Sequence, residues 1–193
     1  MLSSEEVSLW LTLVYGLAVP LIAVVYWRTY GPTNFLWLSD IALACTLAAL
    51  ITGNRLLASM PAVGVLPLEI AWTVDFMAGG RLIGLAAYMF DSKLPLSLRS
   101  LSIFHLALPP TLFFLLYRSG YDERALIYQT LLTWMVLIIS YMASDPRENV
   151  NWVFGLGSKP QRFLPPLLYL GVEMVIIPVF VLVPMHFILK RFF

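Results

Sequence analysis

Residues 7–27 contain no Asp, Glu, Lys or Arg, and that run constrains the fold more than any other feature. An apolar stretch of about 20 residues, wound as a helix, matches the roughly 30 Å hydrocarbon core of a bilayer. Within lipid the backbone has to satisfy its own hydrogen bonds, which leaves the helix as the conformer for such a segment. The pattern recurs: residues 125–143 are also free of charge, and residues 164–189 carry only Glu173 and His186. Composition matches this, with 60% hydrophobic and 12% charged residues among 193, whereas a soluble domain is about 25% charged. Mean hydropathy is +0.84. A soluble globular domain is excluded.

Six spans fit the length, at 7–27, 34–52, 66–90, 99–117, 125–143 and 164–189. Gly31-Pro32 closes the first and Gly53-Asn54-Arg55 the second. The third is the hardest to bound, because Pro67, Glu69, Asp75, Gly79-Gly80 and Arg81 interrupt it; a tilted helix over 66–90 is expected. Pro109-Pro110 should kink the fourth. The short link at 118–124 forces a hairpin, and the longer polar segment 144–163 reads as a lid or interfacial piece. The expected fold is therefore one all-α, polytopic, six-helix transmembrane domain with both termini on the same side. The acidic start at Met1–Glu6 lacks the pattern of a signal peptide, so the first span is expected to be retained. Lys and Arg divide five against six between the two sides. That leaves orientation to the basic Lys190-Arg191 end, which favours cytoplasmic termini in a bacterial inner membrane. A net charge of +1 with scattered cations gives no reason to expect a nucleic-acid partner. A single Cys45 excludes an intrachain disulfide framework.

The chemistry lies in the ionisable residues placed inside spans: Asp40, Glu69, Asp75, Arg81, His105, Glu173 and His186. An Asp, Lys or Arg at mid-helix costs about 2.5–3.5 kcal/mol, so these groups must pair, neutralise or face water. Counting about 1.5 Å per residue from the surface opposite the termini puts Asp40 and His105 near 9 Å, and Arg81 and Glu173 near 14 Å. A polar pocket in one leaflet is expected, joined from below by Asp75 and roofed by Asn149, Asn151 and Trp152. Glu69 is placed near the terminal-side interface. The competing expectation is structural: an Asp40–Arg81 ion pair and an interhelical His105 bond. His186 lies about 24 Å deeper than His105, which excludes one haem between them. No metal site and no cofactor is expected.

A histidine beside a carboxylate can serve as general base to a hydroxyl nucleophile. His105 is expected as base, Asp40 as its orienter, Arg81 as oxyanion stabiliser and Ser39 as nucleophile, with Glu173, Asp75, Asn149, Asn151 and Trp152 toward the substrate. Residues 90–95 together with Ser102-Ile103-Phe104-His105 and Leu108-Pro109 resemble the androgen-induced and androgen-dependent intramembrane hydrolases. That resemblance implies cleavage of lipid esters and carries His105 over as base. At Phe35-Leu36-Trp37-Leu38-Ser39-Asp40, where that group bears its threonine, this chain has none. The chain is also similar to small bacterial polytopic proteins described only as membrane-associated. The expected activity is hydrolysis or acyl transfer on a membrane lipid. The alternatives are a proton-coupled transporter, with Asp40, Glu173 and His105 as its relay, and a non-catalytic accessory subunit.

Overall fold

The computed structural model describes residues 3–157 and 159–193. Helix α1, Ser4–Tyr30, opens with a capping box in which Ser3 Oγ accepts from the Glu6 N–H and Glu6 Oε2 accepts from the Ser3 N–H. Two of the donors at the helix start are thereby satisfied. A short 3-10 turn, Pro32–Leu36, leads into α2, Leu38–Thr52. Then follow α3 (Arg55–Met77), a 3-10 turn at Ala87–Phe90, α4 (Leu96–Leu101), α5 (Phe104–Ser119) and α6 (Ala125–Ala143). Helices α7 (Pro166–Ile177) and α8 (Val183–Phe192) are joined by one π turn at Pro178–Leu182. Among the described residues there is no strand.

Five stretches are long and apolar enough to cross a membrane: α1, α3, Leu96–Ser119, α6 and Pro166–Phe192. Helix α2 is apolar but has 15 residues, a rise of about 22 Å. The outward side of α1 is lined by Leu9, Leu13, Leu17, Leu21 and Val24, all exposed, while Tyr15, Ile22 and Tyr26 face inward. An apolar surface this continuous suits lipid or another apolar partner rather than water.

The third helix departs from the expected 66–90, starting at Arg55 and stopping at Met77. Asn54 Oδ1 accepts from the N–H groups of Leu56 (2.9 Å) and Leu57 (3.3 Å), so a new helix is capped immediately after Gly53 ends α2. At the other end Gly79 and Gly80 take φ of +73° and +72°, a region that favours glycine. A Cβ on Gly80 would lie 2.6 Å from the Ala87 Cα. The Asp75 carboxylate accepts from Leu82 N and Ile83 N, both at 2.9 Å, and from Ala86 N at 2.8 Å. Residues 78–90 are thereby folded back against the end of α3.

Helix α3 is the hub and packs against α2, α5, α6 and α8. Its first half presents small buried residues, Ala58, Ser59, Ala62 and Gly64, which let neighbouring helices approach closely. A Cβ at Gly64 would meet the Gln129 side chain of α6 at 2.6 Å. Helix α6 also closes a gap in α7. Pro178 offers no N–H to the Met174 carbonyl, and Trp134 Nε1 donates to that oxygen instead at 2.7 Å.

Candidate functional site

The α4–α5 span breaks at Ser102-Ile103 and resumes with His105 in its first turn. His105 Nδ1 lies 2.7 Å from Glu69 Oε2 on α3, with 14% of the histidine side chain and 4% of the glutamate side chain exposed. Glu69 sits eight residues before the end of α3 and His105 nine after the start of α4. That corresponds to roughly 12 and 14 Å from one surface, so the two meet at one depth. Three residues beyond Glu69, Trp72 stacks on the imidazole at a centroid distance of 4.7 Å, and Phe104 lies at 4.1 Å. Trp72 is covered in turn by Ala86 and Met89, with Tyr88 at 6.4 Å, so residues 78–90 close this side. One turn before His105, Ser102 Oγ and Tyr26 Oη share a hydrogen bond of 3.0 Å. With Nδ1 donating to Glu69 Oε2, the imidazole lone pair lies on Nε2, the arrangement of a general base.

The carboxylate that meets His105 is thus Glu69 and not Asp40. Asp40 lies two residues into α2 and accepts from Asn34 Nδ2 at 3.0 Å. Ser39 beside it is half-buried and makes no hydrogen bond to His105 among the described residues. Next to Asn34 a cavity of about 370 Å³ opens between the end of α1 and residues 148–150. Thr33 Oγ1 donates there to Glu148 Oε2 at 3.1 Å.

The remaining expected residues are held elsewhere. Arg81 is exposed in the 78–90 segment, beyond the end of α3, and pairs with no carboxylate among the described residues. Asp75 is fully buried, its oxygens taken by the three backbone donors of that segment. Asn149 bridges to the carbonyls of Gly155 and Gly157 and accepts from the Phe154 N–H. Asn151 accepts from the Leu38 N–H and donates to Leu36 O and Ser140 Oγ. It thereby fastens residues 149–152 to the start of α2 and to α6. Asn149, Asn151 and Trp152 all take positive φ, which asparagine tolerates better than most residues. The two amide side chains are therefore committed to local structure.

Glu173 is buried on α7, and its Oε2 has no hydrogen-bond partner among the described residues. Nothing links it to His105. His186 bonds instead to Tyr121 Oη at 2.8 Å. The expected level of Asp40, Arg81, His105 and Glu173 therefore resolves into a Glu69–His105 dyad and an Asn34–Asp40 pair, with Arg81 and Glu173 apart. Among the described residues no three His, Cys, Asp or Glu side chains gather as a metal ligand set.

Fold and site together define a class: an all-helical protein with five helices suited to a membrane and a histidine–carboxylate dyad buried between two of them. No known protein family, curated protein or solved structure matches the chain.

Proposed function

We propose that this chain is an integral membrane lipid hydrolase or acyltransferase, with His105 as general base and Glu69 fixing its tautomer. The supporting observation is the 2.7 Å contact between Nδ1 and Oε2, enclosed by aromatic rings at about 13 Å depth. A carboxylate and an imidazole are costly to hold there, and a purely structural tie between helices is met by uncharged side chains, as Tyr26 and Ser102 do nearby. No Ser or Thr hydroxyl bonds to His105 among the described residues, which favours a water or a lipid hydroxyl as nucleophile. Nε2 takes the proton of that hydroxyl as its oxygen adds to the ester carbonyl. The imidazolium, stabilised by Glu69, returns the proton to the departing alkoxide, so that one C–O bond forms and one breaks. In this reading Leu38–Thr52 is a short sixth crossing, the termini share the cytoplasmic side of a bacterial inner membrane, and membrane lipids are the partners. The relay reading is weaker, because α5 buries Leu108, Leu112, Leu115 and Leu116 between His105 and the His186 end.

The test is lipid mass spectrometry on protein reconstituted into mixed-lipid vesicles. One lipid class should lose or exchange an acyl chain, and His105→Ala should slow this by about 10²–10⁴-fold, with Glu69→Gln also slower. Turnover equal in His105→Ala and the unaltered protein removes the dyad from catalysis. No turnover in any membrane lipid, with His105→Ala changing only thermal stability, returns the accessory-subunit reading.

A further inference from the structure

The cavity next to Asn34 has a chemistry of its own. It lies where α1 stops and α2 begins, the level at which lipid headgroups meet a helix bundle. Its volume of about 370 Å³ falls within the range of small-molecule sites, roughly 300–1,000 Å³. The rings of Tyr30 and Trp37 form part of its wall, and Glu148 is the one charged side chain among the residues that line it. Two of the donors there are already engaged: Asn34 Nδ2 donates to Asp40, and the Thr33 hydroxyl to Glu148. The lining therefore offers one carboxylate, two aromatic residues, and the hydroxyls of Thr29 and Thr33, which can accept, with the Asp40 carboxylate bonded to Asn34. The last turn of α1, which includes Thr29 and Tyr30, adds the negative end of a helix dipole, next to the exposed Arg28 of the same turn. An anion is repelled by the Glu148 carboxylate. A positive group gains from all three elements, through charge attraction and through the faces of the rings.

We propose that this cavity binds an alkylammonium group, supplied by the headgroup of a zwitterionic phospholipid of the ethanolamine or choline type. The ammonium sits between Glu148 and the rings of Tyr30 and Trp37, and the rest of the lipid extends into the bilayer beside α2. Only the lipid source of the ammonium rests on the reading of the dyad as a lipid-acting site; the cation preference follows from the wall itself.

The test is binding without turnover. Protein is exchanged into nanodiscs holding equal phosphatidylethanolamine, phosphatidylcholine and phosphatidylglycerol, then released, and the retained lipids are counted by native mass spectrometry. The two ammonium lipids are expected to be retained at least about tenfold over phosphatidylglycerol, a difference of about 1.4 kcal/mol. Glu148→Gln and Trp37→Leu should bring the ratio near parity without lowering phosphatidylglycerol retention. Glu148 is exposed, so its substitution leaves the fold intact. Equal retention of all three lipids by the unaltered protein, or a preference that survives both substitutions, overturns the proposal. Free ethanolamine or phosphoethanolamine bound in place of any lipid overturns the lipid source. His105→Ala should keep the preference in full, so a failure of the dyad as catalyst and a failure of the ammonium site are read separately.

Discussion

Asp122, in the link between α5 and α6, is held by two cations: Arg124 Nε donates to Oδ1 at 3.0 Å and Nη2 to Oδ2 at 2.8 Å, and Arg55 Nε lies 3.8 Å from Oδ2. Its own N–H donates to Ser59 Oγ of α3 at 2.9 Å, so the loop is tied to the hub. Hydrogen bonds from Arg124, opposed in part by burial, hold the Asp122 carboxyl below its ordinary value, which is about 3.9 in an unfolded chain. A lowered folded value means that the ionised form favours the fold. Its contribution is complete above that unfolded value and is lost as pH falls through the folded one. In detergent, melting temperature should therefore drop as the solution is acidified below about pH 4. Asp122→Asn should melt lower at neutral pH and lack that part of the acid decline; parallel pH profiles for the two proteins would rule the pairing out as a contributor.

The same scale shows how residue type can mislead. Asn149 and Asn151 have the look of ligand-binding amides at the mouth of a pocket, yet positive φ and saturated hydrogen bonding commit both to holding the chain in place. Nothing in the residue type distinguishes the two uses. The distinction lies in which backbone groups nearby are left without partners.

Among the elements, α3 and the segment after it matter most to the site. Asp75 holds three N–H groups of residues 82–86, and that segment covers Trp72, which covers His105. Asparagine in its place keeps one acceptor oxygen and turns an amide N–H toward a donor, a loss of about 1–3 kcal/mol. Asp75→Asn should speed hydrogen exchange at Leu82, Ile83 and Ala86 while amides in the middle of α3 stay protected. Unchanged exchange at those three positions would show that the carboxylate does not hold the segment.

The bounds of α3 were within reach of the sequence. Gly53-Asn54 is a stop followed by a cap, and Gly79-Gly80 is a break. Arg55, Pro61 and Pro67 argue against a start there only if the segment faces lipid. With Pro61 buried among neighbouring helices and Arg55 exposed at its first position, α3 tolerates them. With the helix at 55–77, Glu69 and His105 fall at one depth by residue counting alone, which names Glu69 as a candidate partner.

For the molecule as a whole, the surface is as informative as the site. Leu17 lies mid-way along α1 and is 77% exposed, so Leu17→Arg places a cation against lipid. The expected insertion cost is about 2.5–3.5 kcal/mol, seen as a reduced inserted fraction in a membrane-insertion reporter assay. A gain in soluble, monodisperse protein would instead mean that this face meets water.

The chain by itself determined that its helices belong in a bilayer, because transfer of apolar groups from water into lipid accumulates residue by residue along a segment and needs no knowledge of neighbours. It also marked His105 as a residue too costly to bury without a partner. Which carboxylate answers it was decided only by packing. A partner must match in depth and also in rotation about its helix axis, and each residue turns a helix by about 100°. In the fold, α3 runs from its cap at Asn54 to the Asp75-held turn and packs on α5, which brings Glu69 to His105, while Asp40 on α2 is bonded to Asn34.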